Sequence, residues 1–152
     1  MLQVSDVLVV IPAFNEVESI DQVVDQVVTF GFQTLVVDDG SIDQTADVAR
    51  QYGAHVVSLP LNSGVGGALR CGFRYAVENG FAAVIQCDAD GQHLPNHLID
   101  LVDAANSTNA HMMIGSRFGS ENTTHEPSLL RRFAMWMLSK VAQRATKNKI
   151  TD

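Results

Sequence analysis

The chain has 152 residues, 46% of them apolar, enough to bury one hydrophobic core and too few for two independent domains of ordinary size. Its formal net charge is −7, with 14 acids against 3 bases in residues 1–110 and 3 acids against 7 bases in residues 111–152. An acidic body excludes generic binding of nucleic acid, which needs a clustered positive surface, while the basic C-terminal part leaves a phosphate or an anionic membrane surface open as a partner.

In chain order, Val7 to Ile11 is a short, wholly apolar, β-branched run closed by Pro12, the pattern of a strand buried on both faces of a parallel sheet. From Glu16 to Phe30 the residues Ile20, Val23, Val24, Val27 and Val28 recur at helical spacing, and Gly31 ends the pattern. The cycle then repeats. Thr34 to Val37 reads as a strand, Asp43 to Tyr52 as a helix, His55 to Leu59 as a strand, and Gly64 to Asn79 as a helix. Ala82 to Cys87 is the fourth strand, Pro95 to Ala105 the next helix, and His111 to Ile114 the fifth strand. Ser116 to Pro127 reads as a polar, turn-rich mobile loop, and Ser128 to Lys147 resumes a helical pattern with Leu130, Phe133, Met137 and Val141 among basic residues. Alternating strands and helices predict an α/β fold, a mostly parallel sheet flanked by helices on both faces. Cys71 and Cys87 fall in the helical and strand patterns without metal or disulfide spacing, as reduced core thiols of a cytoplasmic protein do. With no leader-like start and no run of about 18 apolar residues, the expectation is a soluble or peripheral protein.

In an open parallel sheet the ligand lies beyond the carboxyl ends of the strands. The residues there are Pro12 to Glu16 after the first strand and Asp38 to Ser41 after the second. Asp88 to His93 follow the fourth, and Gly115 to Arg117 the fifth. Asp88 and Asp90 set two hard oxygen ligands side by side, suited to Mg²⁺ or Mn²⁺ bridging a diphosphate. A solvated turn at Asp90-Gly91 is the plainer alternative. Ser41 and Asp43 are good N-cap residues for the helix that follows, but capping does not account for Asp38 and Asp39, whose carboxylates at a strand end can accept from a nucleobase ring N–H. Asn62 to Ala68 is glycine-rich before a helix: its amides can face a phosphate, or its glycines can serve close helix-to-sheet packing. No dinucleotide fingerprint follows the first strand and no P-loop exists. His93 and His97, with Pro95 between them, read as surface or capping residues rather than as a second metal site.

The strings V-V-I-P-A-F-N-E, V-V-D-D-G-S-x-D-x-T, N-x-G-x-G-x-A and D-A-D-G-Q-H, in that order, resemble the family 2 glycosyltransferases of GT-A (Rossmann-like) fold, in particular the polyprenyl-phosphate (dolichol-phosphate) mannosyl- and glucosyltransferases. The resemblance implies that Pro12, Ala13, Asn15 and Glu16 line a nucleotide pocket, that Asp39 with Asp38 holds the base, and that Gly66 approaches the nucleotide. It further implies that Asp88, Ala89 and Asp90 meet ribose, diphosphate and metal, that Gln92 is a further metal ligand, and that Arg117 binds phosphate. Arg131 and Arg132 fall where the family places an arginine for the lipid phosphate. Met135 and Trp136 stand where many relatives have a serine. The chain also stops where relatives continue toward the acceptor side, so it reads as a C-terminally shortened catalytic domain. Residues 1–119 are expected to form the nucleotide-sugar core, and residues 120–152 a loop and a basic amphipathic helix that begins the acceptor-binding part.

The function this implies is inverting, metal-dependent transfer of a hexose from a UDP-glucose or GDP-mannose type donor to a polyprenyl phosphate, with Asp88, Asp90 and Arg117 as the catalytic set. Peripheral membrane contact is expected through the basic helix, with location in the cytoplasm or at the cytoplasmic face of the membrane. Two alternatives stay open: transfer to a hydroxyl of a glycan or envelope polymer, and nucleotide binding without transfer. The oligomeric state is not legible in the sequence.

Overall fold

The computed structural model describes residues 1–91, 96–108 and 110–115. Its elements are β1 (Val7–Ala13), α1 (Ile20–Thr29), β2 (Gln33–Asp38), α2 (Thr45–Gln51), β3 (His55–Ser58), α3 (Val65–Glu78), β4 (Ala83–Gln86) and α4 (Asn96–Thr108). The strands form a four-stranded sheet in the order β3-β2-β1-β4, and every pairing is parallel. These elements lie in a compact unit, Met1–Met113. Of a second unit, Ile114–Asp152, only Ile114 and Gly115 are described.

Side chains of successive strand residues point to opposite faces of a sheet, and this builds two apolar layers. Val7, Val9, Ile11 and Val36 pack with Ile20, Val23, Val24 and Val27 of α1, Ala49 of α2, and Leu98 and Val102 of α4. On the other face Leu8, Val10, Leu35 and Val37 pack against Ala68 and Ala76 of α3. That packing is close: a Cβ on Gly72 would stand 2.4 Å from Cγ1 of Val10, so a glycine is required where the helix crosses β1.

Several boundaries differ from the sequence pattern for local reasons. Strand β1 runs past Ile11 through Pro12, which sits in register with Val37. Pairing with β4 ends at Val10↔Gln86, so among the described residues Pro12 has a neighbouring strand on one side only, where a residue without an N–H is tolerated. Helix α1 begins at Ile20 rather than Glu16. The Glu16 carbonyl accepts from the Ser19 and Ile20 amides at 3.1 and 2.9 Å, while the Glu16 amide donates to Thr45, the first residue of α2, and the Val17 amide to Asp43 just before it. Helix α4 continues beyond Ala105 to Thr108, where the Ser107 and Thr108 hydroxyls donate back to the Ala104 carbonyl at 2.9 and 2.7 Å.

The expected fifth strand, His111 to Ile114, is a correction: these residues form no strand. Met112 and Ile114 are 79% and 78% exposed, and a run with a single β-branched residue has little intrinsic strand preference without a packed partner. The expected loop Ser116 to Pro127 and helix Ser128 to Lys147 lie outside the described residues.

Candidate functional site

The chain passes from β1 to β2 and β3 on one side, then returns to place β4 on the other side of β1. The strand order therefore reverses between β1 and β4, and in open parallel sheets such a switch point, beyond the carboxyl ends of the strands, is where ligands bind. Register fixes what surrounds it. Ala13 is level with Asp38, Asp38 with Ser58, and just past β4 the Cys87 amide donates to the Val10 carbonyl at 3.0 Å, one residue before Asp88.

Asp38 and Asp39 are each only 4% exposed, as expected for acids at a buried strand end, and each is tied to a different loop. Oδ1 of Asp38 accepts the Ser41 amide at 3.0 Å. Oδ1 of Asp39 accepts both the amide and the hydroxyl of Ser63 at 2.8 Å each. Burial pushes the Asp39 carboxyl up, but the Ser63 amide, the Ser63 hydroxyl and the Gly64 amide together outweigh it and hold the pKa below its ordinary value. Asp39 is thus held as an ionised acceptor at the carboxyl end of β2.

The β1–α1 loop is stitched to the β2–α2 loop. The amides of Asn15, Glu16 and Val17 donate to Ser41 Oγ at 2.9 Å, Thr45 Oγ1 at 2.9 Å and Asp43 Oδ2 at 3.4 Å, and Asn15 Oδ1 accepts the Ile42 amide at 3.0 Å. Ser41 therefore does not cap α2, whose N-cap Gln44 makes no side-chain capping bond. Asp43 bonds the Thr45 amide at 3.0 Å as well as the Thr45 hydroxyl. With three successive amides occupied, this loop cannot cradle a diphosphate as the first turn of a dinucleotide fold does. Pro12 and Glu16 are half-buried, Ala13 is buried and Asn15 is exposed, with φ of 56° in the left-handed region.

The glycine-rich segment divides its glycines between two uses. Gly64 has φ of 78°, and a Cβ on Gly67 would stand 2.2 Å from Ser63 Oγ, whereas a Cβ on Gly66 would meet nothing within 4 Å. Close packing on the sheet falls to Gly72, outside the motif, and Gly66 faces open space. Gly40 lets the β2–α2 turn approach the β3–α3 loop, since a Cβ there would lie 3.0 Å from the Asn62 amide nitrogen.

After β4 the chain alternates. Cys87 and Ala89 are buried in the α1-side core, Asp88 is half-buried and Asp90 is exposed in a turn completed by Gly91 with φ of 70°. The turn proposed as the plainer alternative is present, and the buried residues anchor it so that both acids lie outside the core. Any contact Ala89 offers a ligand comes from its backbone. Gln86 Nε2 donates to Asp88 Oδ1 at 3.2 Å. Burial, then the charges of Asp88 and Asp90, push the Cys87 thiol up to about 11, so both carboxylates act on one place and the thiol stays protonated and inert. Among the described residues no group of three or more His, Cys, Asp or Glu assembles a metal cage. Two carboxylates are hard oxygen donors of the kind that Mg²⁺ or Mn²⁺ accepts alongside other oxygen ligands. Gln92, His93, Arg117, Arg131 and Arg132 lie outside the described residues; His97 is exposed on α4.

The sequence pattern missed Ser63 as the partner of Asp39, and Thr45 as a buried hub. For Thr45 the S-x-D-x-T spacing after the paired aspartates was the available signal; Ser63, 24 residues from Asp39, had none.

The sequence model described as "Glycosyl transferase family 2" matches residues 8–152. An undecaprenyl-phosphate mannosyltransferase of Micrococcus luteus is 36% identical over 73% of the chain and 48% of its own length. A polyprenol monophosphomannose synthase of Mycolicibacterium smegmatis is 36% identical over 73% of the chain and 44% of its own length. The chain therefore spans about half the length of these relatives. Among solved structures, glucosyl-3-phosphoglycerate synthase of Mycobacterium tuberculosis, crystallised with Mn²⁺, UDP and glucosyl-3-phosphoglycerate, superposes with a TM-score of 0.54 at 28% identity, covering 66% of this chain and 39% of that one.

Proposed function

The chain belongs to glycosyl transferase family 2, and from that premise we propose that it carries the donor-binding part of an enzyme that transfers a hexose from a nucleoside-diphosphate sugar to a polyprenyl phosphate, with inversion at the anomeric carbon. The observation that carries this reading is the placement of two acid pairs on the strands flanking β1: Asp38 and Asp39 on the β2 side, Asp88 and Asp90 on the β4 side. Two interstrand spacings separate them, roughly 10 Å, comparable to the reach of an extended nucleoside diphosphate. The ionised Asp39 accepts a ring N–H of uracil or guanine. Pro12, Ala13, Asn15 and Glu16 form the wall between, and Gly66 leaves room for the ligand.

Asp88 and Asp90, with Gln92, would hold Mg²⁺ or Mn²⁺, which supplies neutralisation of the charge on the leaving nucleoside diphosphate. The acceptor phosphate, with a second pKa of roughly 6, is already mostly ionised at neutral pH, so a strong general base is not needed. What the protein must do is hold two anions in line for attack, and Arg117, Arg131 and Arg132 offset their mutual repulsion. Contact with a membrane surface follows from the acceptor, which is lipid-bound. No helix among the described residues is long and apolar enough to cross a membrane.

A second reading, nucleotide binding without transfer, draws on the donor-side acid pairs alone. One experiment separates the two. Incubation with UDP-glucose or GDP-mannose, Mn²⁺ and a polyprenyl phosphate yields a lipid-linked hexose of inverted anomeric configuration if the chain transfers. Thermal stabilisation by one nucleotide without any product supports binding alone. Product on a soluble glycan instead of the lipid would contradict the phosphate acceptor.

A further inference from the structure

Thr45 is fully buried, so no ligand touches it, yet its hydroxyl is used in both directions. It accepts the Glu16 amide at 2.9 Å and donates to Asp43 Oδ1. Asp43 spends its other carboxylate oxygen on the Val17 amide. A capping residue satisfies amides of its own helix; here amides 26 and 29 residues away in sequence are served, and they belong to the loop that walls the donor pocket. The loop also carries a cost. Asn15 holds φ of 56°, in the left-handed region that residues with a Cβ seldom adopt, and such a conformation persists where the surroundings over-determine it. Ser41, which accepts the Asn15 amide, and the Ile42 amide, which donates to Asn15 Oδ1, supply that determination.

We propose that Asp43 and Thr45 are positioning residues for the donor nucleotide: they lock the backbone of Asn15 to Val17 in its binding shape without contacting the nucleotide. The proposal rests on the donor-site assignment above and extends it to residues behind the pocket wall. A loop fixed before binding pays no ordering entropy when the ligand arrives, and the same amides, once engaged, do not turn toward the diphosphate and draw it away from Asp88 and Asp90.

The test measures UDP and GDP affinity by calorimetry with Mn²⁺, together with hydrogen exchange of individual amides by NMR, for Thr45→Val, Thr45→Ser and Ser41→Ala. Thr45→Val keeps the volume and removes the hydroxyl. It is expected to weaken the preferred nucleotide by about tenfold or more and to speed exchange at the Glu16 amide, with the Val9 and Val36 amides of the sheet unchanged; Thr45→Ser restores both. An unchanged affinity with a freed Glu16 amide overturns the proposal. If Thr45→Val also loosens Val9 and Val36, the milder Ser41→Ala decides: nucleotide binding at least about threefold weaker sustains the lock, and unaltered binding overturns it. Should the wild-type chain bind neither nucleotide, the donor-site assignment itself falls, a result seen before any variant is compared.

Discussion

Asp38 and Asp39 are adjacent in sequence and equally buried, but the first organises the turn that reaches Asn15 through Ser41 and the second anchors the β3–α3 loop through Ser63. Their burial was legible from an acid pair ending an apolar strand. Their division of labour was not, because Ser63 lies 24 residues on and only the tertiary fold brings it back. Asp39 has a folded pKa below its unfolded value, so its contribution to stability is fully present above the unfolded carboxylate range and is lost as pH falls through the lowered folded value. Ser63→Ala removes one of the donors, leaving the amides of Ser63 and Gly64. NMR titration of the Asp39 carboxyl is expected to show its pKa rising toward the ordinary value, and acid unfolding is expected to begin at higher pH than in wild type. An Asp39 titration unmoved by Ser63→Ala would contradict the assigned hydrogen bonds.

Two glycines of the same helix give opposite expectations. Gly72→Ala forces a Cβ to 2.4 Å from Val10 and is expected to destabilise the fold by about 1–3 kcal/mol, measured by urea unfolding. Gly66→Ala places a Cβ in open space and is expected to leave unfolding unchanged while weakening nucleotide affinity; unchanged affinity would remove Gly66 from the pocket. Periodicity alone could not tell these glycines apart, since close approach is a property of the helix docked on the sheet. The apolar runs and helical spacings did locate four strands and four helices, because each packs apolar residues, buried or partly buried, against one of the two core layers. What they misjudged were ends, where side chains compete for backbone groups: the Glu16 and Val17 amides leave α1 for Thr45 and Asp43, and the hydroxyls of Ser107 and Thr108 lengthen α4. The run His111 to Ile114 looked like a strand because it is apolar, but without a paired neighbour among the described residues its side chains stand exposed.

For the molecule as a whole, the described residues of the four motifs that resembled a glycosyltransferase lie at the carboxyl end of a parallel sheet, and the sequence model and the solved structures agree on the family and its GT-A fold. That end carries Asp38, Asp39, Asp43, Asp88 and Asp90 on a body with 14 acids and 3 bases in residues 1–110. Such a rim repels a diphosphate unless a cation stands between them. The most direct measurement is therefore nucleotide affinity with Mn²⁺ and with EDTA, for the wild-type chain and for Asp88→Asn combined with Asp90→Asn. The account predicts that the wild-type chain binds UDP or GDP at least about tenfold more tightly with Mn²⁺ than with EDTA, and that the double variant loses this difference while its unfolding stays cooperative. Manganese-dependent affinity that survives both substitutions would contradict it.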